Sequence, residues 1–517
     1  MKRFLSVVGV VILAFLFFSF LSRKDIRRGE ELTIFIDRDM DRCALITQNI
    51  ERALIQDGYR VHTAYFDPGE IDHFLIANPS ALYVTDEQLH PDLFFLKSHE
   101  YLSALVAVTN RRSEVSSISG DELLNAYAAG DTDEMNVLKK VIKSRLRYGV
   151  ISFQNLNLHV KPLSVDGIFP SLTNIKDGKY KYVLKAGIYH RVGEGFLGNN
   201  EIVTLLDSGM EGAFSLIAGG DIMLDRGTKS YITRFGVYYP FEEIRDEIQK
   251  HDIAFANLES PISERGKMYS PFKGIYFRAD PTVIQGLTYC GFDVLSLANN
   301  HSLDWGIDSI LDTMYYLQKA GIRYSGVGFS REQALTPAVF EVSGVRIAFI
   351  CFNDIYPLLL SEAGRRMETL SLYGRELEEE IGALKEEYDI VIASVHAGTE
   401  YVIEPEGDKI HKMRSLIDAG ALVVLGSHPH VVQGIEVYRG GLIAYSLGNL
   451  IFDQSWSRET SLGILLEIGF LGGKPVYYLP HVVSIKKSRA KIIENADADS
   501  VLSYLHIGKD EDEHVKN

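Results

Sequence analysis

Residues 421–449 read ALVVLGSHPHVVQGIEVYRGGLIAYSLGN, and the first half of this stretch decides the fold around it. The apolar run 422–425 predicts a buried strand that ends at a glycine. His428 and His430 follow at once, and the proline between them fixes φ and discourages helix. The pattern favours a stiff loop that presents two imidazoles at the end of a strand, although two surface histidines in a turn would give the same letters.

Other apolar runs upstream end in the same way. Solvated loops need polar residues, but they have no need to select oxygen and imidazole groups and to exclude lysine. Because open α/β folds bind ligands beyond the carboxyl ends of their strands, these side chains are expected to gather at one edge. The strand-end positions are Asp221, Asn257, Glu259, Asn299, Asn300, His301, Asn353, Asp354 and His396.

The donor types at these positions predict a metal site. Carboxylates, amide oxygens and imidazoles together suit divalent ions such as Mn²⁺, Zn²⁺ or Fe²⁺. Two ions about 3.5–4 Å apart would need about this many ligands and could clamp a phosphoryl or acyl centre. We therefore expect divalent metal ions as cofactors, two in number.

The length and charge of the chain set outer limits. A chain of 517 residues is too long for one core and predicts two or three domains. The net charge of −16 and the pI of about 5.5 leave no basic surplus to neutralise phosphates, which argues against nucleic acid as a partner. Three cysteines are too few and too scattered for a disulfide framework or a zinc ribbon.

The amino terminus predicts a membrane segment. Residues 4–21 carry no charge, and basic residues flank them on both sides. That length only just spans a bilayer and exceeds the usual apolar core of a cleaved signal peptide. We therefore expect an uncleaved signal anchor at 1–31 in preference to a cleaved signal, with a single pass through the cell membrane and extracytoplasmic soluble domains.

Residues 32–208 form a first soluble region. Its order of phrases, from the VTN that ends at Asn110 to the NIKDGKY that ends at Tyr180, resembles the second lobe of periplasmic solute-binding proteins of the phosphate-binding type. Any α/β domain with ordinary caps could show the same order, and no ligand residue is assigned here. The predicted elements are strands at 32–37, 61–66, 102–110 and 183–188 and helices at 43–56 and 121–129, the second capped by Ser119.

The second region carries a more specific resemblance, over about 214–454. The phrases GGDIMLDR, NLESP, SLANNHSLDWG, HAGTEY, GSHPHVVQGIE and AYSLGNLIFDQ, in this order, resemble the bacterial capsule-synthesis family associated with poly-γ-glutamate, the CapA-type proteins. That family is similar in turn to calcineurin-like metallophosphoesterases. The resemblance implies a four-layer α/β/β/α sandwich with a two-metal centre.

Carried over position by position, the resemblance also implies roles for individual residues. It departs from the phosphoesterase pattern in two places, since the chain lacks the Asp-x-His of the first motif and has Asn-x-Glu where Gly-Asp is usual. The missing histidine leaves open the occupancy of the first site and whether the centre is catalytic. The implied metal ligands are Asp221 and His430 for one ion, Glu259 as the bridging carboxylate, and Asn300, His396 and His428 for the other, with His301 as the catalytic acid or electrostatic group beside them.

Six further residues could orient a ligand or contact a substrate: Arg226, Asn257, Asn299, Glu400, Glu436 and Asn449. Glu400 and Glu436 are more simply explained as exposed charges at strand ends. Arg226 would suit a bound anion, or it would pair with a neighbouring carboxylate. Asn449 matches a family phrase, but the Gly-Asn pair that it completes is also good turn chemistry.

The sequence thus predicts an α/β protein in four parts. These are a signal anchor at 1–31, a periplasmic-binding-protein-like α/β domain at 32–208, a metallophosphoesterase-like sandwich at 209–485 and a C-terminal tail at 486–517. The leading functional hypothesis is synthesis or export of a surface polymer of the poly-γ-glutamate type, together with other polymer-synthesis subunits. A surface phosphoesterase acting on a phosphorylated substrate is the second hypothesis, and a non-catalytic binding or scaffold subunit is the third.

Overall fold

The structure is a computed structural model, and it describes thirteen stretches of the chain. The expected anchor, the helix expected at 43–56 and the last twelve residues lie outside the described residues. Among the residues that are described, no helix is both long enough and apolar enough to cross a membrane. The described stretches are 31–37, 60–66, 82–85, 93–110, 115–129, 134–143, 146–153, 156–181, 183–191, 212–269, 274–356, 359–372 and 377–505.

The chain divides into two compact units. The amino-terminal unit comprises Met1–Leu156 and Val160–Glu211, and the carboxy-terminal unit comprises Asn157–His159 and Gly212–Asn517. Each unit contains strands and helices, so the fold class is mixed α/β.

The amino-terminal unit is built on one mixed sheet. Its strands are β1 (Glu31–Asp37), β2 (Arg60–Phe66), β3 (Leu82–Thr85), β4 (Leu93–Asn110), β5 (Ser117–Ile118), β6 (Gly149–Ser152), β7 (Val160–Pro162), β8 (Ser164–Val165) and β9 (Val183–Arg191). Its helices are α1 (Gly120–Ala129), α2 (Glu134–Ile142) and α3 (Leu172–Lys176). The sheet order is β2-β1-β3-β9-β4-β6, with β7 also paired to β4. The predicted cap of α1 is present, because Oγ of Ser119 accepts a hydrogen bond from the backbone N–H of Glu122 at 3.2 Å.

The carboxy-terminal unit has two large sheets. The helices of this unit are α4 (Arg226–Phe235), α5 (Arg245–Ile248), α6 (Ile284–Cys290), α7 (Gly306–Lys319), α8 (Arg331–Ala334), α9 (Leu377–Glu387), α10 (Gly407–Ala419) and α11 (Ala496–Tyr504), with short 3-10 turns at Pro281–Val283 and Glu459–Ser461. Its strands are β10 (Phe214–Ile222), β11 (Ile253–Leu258), β12 (Val294–Ser296), β13 (Arg323–Ser325), β14 (Val327–Gly328), β15 (Ala338–Val342), β16 (Val345–Asn353), β17 (Leu359–Glu362), β18 (Arg365–Thr369), β19 (Ile390–His396), β20 (Val423–Ser427), β21 (Ile435–Tyr438), β22 (Gly441–Ala444), β23 (Asn449–Ile451), β24 (Leu462–Leu471), β25 (Lys474–Lys486) and β26 (Arg489–Ile492).

The two large sheets combine parallel and antiparallel strands. The first sheet has the order β13-β12-β11-β10-β24-β25-β26, with β23 also paired to β10, and the second has the order β15-β16-β19-β20-β22-β21. Strands β10 to β13 run parallel to one another, and so do β16, β19 and β20. A small third sheet has the order β14-β18-β17.

Three large apolar clusters are present among the described residues of the carboxy-terminal unit. One joins the two large sheets face to face, and its ring contacts include Phe214 stacked on Phe470 at 4.5 Å and Phe255 beside Phe349 at 5.9 Å. A second cluster lies between the first sheet and helices α4 to α7, and a third lies between the second sheet and helices α9 and α10. Both faces of the central strands are therefore buried, which explains their nearly continuous apolar sequences.

The register of the parallel strands brings their carboxyl ends together. Asp221 on β10 lies opposite Asn257 on β11, and His396 on β19 lies opposite Ser427 on β20. Strand β10 runs through Gly219 and Gly220 and continues to Ile222, one residue past Asp221. The reason for glycine at position 220 is steric, because a Cβ at Gly220 would lie 1.9 Å from the carbonyl oxygen of Gly448, and glycine allows β23 to approach β10.

The carboxyl-terminal region differs from the expected tail. Residues from 486 onward include the end of β25, all of β26 and helix α11, and Val501 is buried in the cluster between the two sheets. An amphipathic segment of this kind contributes apolar surface to the core, so a boundary at 485 cuts through the folded unit. The charged residues 506–517 lie outside the described residues.

Candidate metal centre

The loop after β20 holds the two histidines with which the sequence argument began. His428 has φ of 95° and His430 has φ of 58°, values that residues other than glycine seldom adopt. The backbone N–H of His428 donates a hydrogen bond to Oδ2 of Asp221 at 3.2 Å, which ties the loop to the end of β10. Backbone strain of this kind is concentrated at functional sites, and here it directs both imidazoles toward the strand ends.

His396, the last residue of β19, lies among the other candidate ligands. Its Nε2 is 2.9 Å from Oδ1 of Asn300, 3.2 Å from Nδ1 of His428 and 3.6 Å from Oε1 of Glu259. On the other side of the ring, Nδ1 lies 2.9 Å from the hydroxyl of Ser427. One ring nitrogen is therefore held by the fold, and the other faces a group of ligand-type atoms.

Two buried carboxylates complete this group. Asp221 and Glu259 are both fully buried. Oδ2 of Asp221 lies 3.3 Å and Oε2 of Glu259 lies 3.8 Å from Nδ1 of His430. Ligand atoms of Glu259, His428 and His430 all lie within 4.8 Å of one another. The structure thus brings all six sequence-predicted metal ligands to one place.

The surroundings shift the pKa values of His396 and His430 in opposite directions. Burial, reinforced by the neighbouring imidazoles, lowers the pKa of His396 well below its usual value. Burial also lowers the pKa of His430, but the charges of Glu259 and Asp221 outweigh it and raise this pKa to about 9. The lowered pKa of His396 favours the neutral imidazole that a metal ligand requires, and His430 lies where a positive charge is stabilised.

The donor set fits a divalent cation. Buried carboxylates are costly unless a cation or hydrogen-bond donors compensate them, and here three imidazoles lie 3.3–3.9 Å from the oxygens of Asp221 and Glu259. Separations of about 3–4 Å are those of ligands that share one ion with bonds near 2.1 Å. The residues present could hold a metal ion, and their chemistry does not select which one.

Three asparagines support the ligands. The amide of Asn257 donates to Oδ1 of Asp221 at 2.8 Å, and Oδ1 of Asn449 lies 3.0 Å from Nδ1 of His430. Asn299 donates to Oδ1 of Asn257 at 3.1 Å and accepts the backbone N–H of His301 at 3.1 Å. These contacts give the asparagines a positioning role, beneath the ligands and away from solvent.

His301 lies beside this cluster in an environment that the sequence did not reveal. Its Nδ1 is 2.8 Å from Oδ2 of Asp304, its ring stacks on Phe277 at 4.0 Å, and its Nε2 lies 3.9 Å from Oε1 of Glu259. Sequence reasoning missed Asp304, although the spacing of three residues in HSLD was a usable signal. An aspartate on one ring nitrogen fixes the orientation of the imidazole and leaves the other nitrogen for proton transfer.

The three charged residues left open by the sequence have distinct environments. Arg226 forms a two-pronged ion pair with Asp453, so the ion-pair alternative is the one that the structure contains. Glu400 is exposed, and its charge helps to raise the pKa of His430. Glu436 is buried and accepts hydrogen bonds from Arg414 and from the hydroxyl of Tyr445.

The environment of Glu436 corrects both interpretations made from the sequence. Its carboxylate bonds Arg414 of α10 and Tyr445, so it fastens the helix to the second sheet. It is neither an exposed strand-end charge nor a group that orients one of the candidate histidine ligands. The sequence gave no sign of this pairing, because Arg414 precedes Glu436 by 22 residues.

A buried lysine is another residue that the sequence argument missed. Lys409 of α10 is buried, its Nζ donates to Oε1 of Gln433 at 2.9 Å, and burial lowers its pKa to about 7. The sequence pattern of α10 does indicate that Lys409 is buried, because Lys409 lies on the same helix face as the buried Met413, Leu416 and Ile417.

An aromatic rim borders the cluster on the solvent side. Tyr401 is 45% exposed, its ring centre lies 6.1 Å from that of His430, and Trp456, 61% exposed, meets it edge to face. The backbone N–H of Tyr401 donates to the carbonyl of Pro429 at 2.8 Å, which fixes the rim to the histidine loop. Exposed rings beside buried polar groups form a surface that could contact an extended ligand.

Comparison with known proteins finds matches over the stretch that contains the candidate metal ligands. Residues 215–454 match the family model described as bacterial capsule synthesis protein PGA_cap. The capsule biosynthesis protein CapA of Bacillus anthracis is 31% identical over 245 residues, which cover 46% of this chain and 60% of that protein. The PGA biosynthesis protein CapA of Bacillus subtilis (strain 168) is 31% identical over 240 residues, 46% of this chain and 63% of that protein. The chain thus spans less than two thirds of the length of these relatives.

A solved structure also shows a likeness to part of the chain. The ABC-type phosphate transport receptor from Vibrio cholerae is 13% identical, and the match covers 40% of this chain and 98% of the receptor with a TM-score of 0.23. A score of this size does not establish a common fold.

Proposed function

Because residues 215–454 match the family model of bacterial capsule synthesis proteins, we propose that this chain serves the synthesis or export of a surface polymer of the poly-γ-glutamate type. The observation that carries the proposal is the convergence of the shared motifs on one buried cluster. Asp221, Glu259, His396 and the loop pair His428 and His430 come from four separate segments, and each residue contributes a ligand-type atom.

The proposed architecture of the carboxy-terminal unit is the four-layer α/β/β/α sandwich of metallophosphoesterases. The two face-to-face sheets and the helical clusters on their outer faces support it. The amino-terminal unit is proposed to be a binding domain of the periplasmic solute-binding type. A boundary between them near residues 209–212 is in keeping with the division of the chain into compact units.

We propose that the cluster holds one or two divalent ions, Mn²⁺, Zn²⁺ or Fe²⁺. When bound, such ions polarise a phosphoryl or acyl group and lower the pKa of water. The chain's own residues would act around them: Asn257 and Asn449 orient ligands, and His301, held by Asp304, carries a proton on Nε2 toward the reacting group. The missing histidine of the Asp-x-His motif makes the site around Asp221 and His430 the weaker of the two.

Location and partners belong to the same proposal. The apolar segment 4–21 would anchor the chain in the cell membrane and leave both units extracytoplasmic, where a growing surface polymer is accessible. Other polymer-synthesis subunits would be its protein partners. The net charge of −16 is in keeping with a chain that does not bind nucleic acid.

A second candidate function is a metal-dependent phosphoesterase. The pairing of His301 with Asp304 favours it, because a carboxylate-oriented imidazole beside buried acids is the arrangement of a general acid. A non-catalytic binding or scaffold role is the third candidate, and the absent histidine of the first motif favours that one.

A complementation experiment separates these candidates. A host deleted for the gene would receive the wild-type chain, His301→Ala, or the exposed control His411→Gln, and surface polymer would be quantified. Loss of polymer with His301→Ala, at normal protein level and with retained metal, supports a catalytic role in polymer assembly. Full output from His301→Ala contradicts catalysis and leaves the scaffold role. Hydrolysis of phosphate esters by the purified protein, without any effect on polymer, supports the phosphoesterase.

A further inference from the structure

A second cluster of ionisable side chains lies on the helix-facing side of the first sheet. Glu467 of β24 and His481 of β25 approach Glu247, which lies in the short helix α5. Glu467 pairs across the sheet with Ile217, four residues before Asp221, so this cluster sits away from the strand ends. It takes no part in the proposed function, and the inference does not depend on that function.

The spacing in this cluster is that of metal ligands. Nε2 of His481 lies 3.4 Å from Oε2 of Glu467, which is long for a hydrogen bond of this type. Two ligands on a tetrahedral ion with bonds of about 2.0–2.1 Å are separated by roughly 3.4 Å. One ligand atom each from Glu247, Glu467 and His481 lie within 4.8 Å of one another.

His251 is an independent sign that a ligand belongs here. Its side chain has no exposed surface, and among the described residues neither ring nitrogen has a hydrogen-bond partner. Nε2 of His251 lies 3.7 Å from Oε1 of Glu247, whose other oxygen contacts Lys250. A buried imidazole without hydrogen bonds is uncommon and calls for an explanation.

The surrounding fold holds Glu467 in position. The hydroxyl of Tyr477 donates to Oε1 of Glu467 at 2.8 Å, which turns Oε2 toward His481. A Cβ at Gly469 would lie 2.0 Å from the Tyr477 ring, so this glycine makes the approach of the tyrosine possible. Outer hydrogen bonds of this kind orient carboxylates that bind metals.

We propose that Glu247, Glu467 and His481 bind one divalent transition-metal cation, with the buried imidazole of His251 at the edge of the site, 3.7 Å from Glu247. The mixture of two carboxylates and an imidazole suits Zn²⁺ better than Ca²⁺ or Mg²⁺, which prefer oxygen ligands alone. The ion would fasten α5 to strands β24 and β25. An ion-free network, in which Lys250 and His481 balance the two acids, is the alternative that the experiment must exclude.

The test uses the full chain carrying His428→Ala/His430→Ala, which weakens the candidate metal centre. The purified protein is incubated with Zn²⁺, dialysed and analysed for metal, with and without the added pair Glu467→Gln/His481→Gln. We expect about one equivalent of zinc, lost when the pair is added, and unchanged when the exposed His411→Gln is added as a control. Equal zinc content with and without Glu467→Gln/His481→Gln, or none in either, overturns the proposal.

A second measurement guards against variants that fail to fold. His481→Gln alone changes a partly exposed side chain and keeps a hydrogen-bonding group. In the same background, Zn²⁺ is expected to raise the Tm, and His481→Gln is expected to weaken zinc binding at least tenfold and to reduce that rise. A Tm that responds to Zn²⁺ identically in both proteins would mean that the ion binds elsewhere, which contradicts the site.

Discussion

Nε2 of His396 and Nδ1 of His428 face each other across 3.2 Å, at the ends of neighbouring parts of the second sheet. At this distance an N–H of one ring can donate a hydrogen bond to the nitrogen of the other. A divalent ion held here would take a lone pair from each ring, and Asn300 and Glu259 are also close enough to His396 to hold it. This pair is the geometric centre of the proposed metal site.

Ser427 should affect metal binding without touching the metal. Its hydroxyl lies 2.9 Å from Nδ1 of His396, so Ser427→Ala removes the group that fixes that ring. We expect metal affinity to fall about 10–100-fold, as for other partners of metal-binding histidines. Calorimetric titration of the metal-free protein measures the change, with Ser415→Ala on α10 as the matched control. Affinities equal to wild type in both variants would show that Ser427 has no positioning role.

Asp304 should matter for turnover more than for metal content. Asp304→Asn keeps an oxygen for the backbone N–H of Phe277, which lies 2.8 Å away, but weakens the hold on Nδ1 of His301. We expect polymer output or phosphoesterase turnover to drop at least about tenfold while bound metal stays constant. Parallel loss of metal and activity would instead make Asp304 a structural support of the whole site.

Gly426 should tolerate no side chain. A Cβ there would lie 1.9 Å from the carbonyl oxygen of Tyr445, a backbone atom that cannot move without disturbing β20 and β22. Gly426→Ala is expected to lower the free energy of unfolding by about 3 kcal/mol or more. Gly382→Ala is the matched control, because open space surrounds that position in α9, and it should add about 0.5–1 kcal/mol. Denaturant unfolding of both variants decides whether the close approach exists.

Lys409 should make stability depend on pH. Burial lowers its pKa from the ordinary 10.5 to about 7, so between these values the unfolded chain binds more protons than the folded one. The free energy of unfolding therefore rises with pH from about 7 to about 10.5, and the contribution is lost as pH falls through 7. Lys409→Met should flatten this rise, by an amount on the order of a few kcal/mol.

Denaturant unfolding in EDTA at several pH values between 6.5 and 10 tests this expectation. Lys385→Met, an exposed change on α9, serves as the control and should leave the wild-type profile in place. If Lys409→Met and wild type show parallel profiles across the window, the lysine is charged in the folded protein and the buried environment has been misjudged.

The sequence predicted much of the site because its chemistry is local to strand ends. An apolar run followed by a polar residue can be recognised in the sequence alone. Asp221, His396 and the two loop histidines were identified as candidate ligands in this way. The strand that ends at Ser427 was also recognisable, since a glycine lies near its end and a proline follows it.

What the sequence could not supply was pairing between distant segments. Glu436 was interpreted as a surface charge because the sequence around it does not indicate that Arg414 and Tyr445 are its hydrogen-bond partners. The segment after 485 looked irregular because β26 is only four residues long and gains its stability from β25. Long-range contacts decide such cases, and local patterns carry little information about them.

The most direct test of the central claim is the metal content of the purified chain. Elemental analysis of the wild type, after incubation with Mn²⁺ or Zn²⁺ and dialysis, would be set beside His428→Ala/His430→Ala. We expect the wild type to hold at least one more equivalent of metal than the double variant, at equal folded content by circular dichroism. Equal metal content in the two proteins would contradict a metal centre at the ends of these strands.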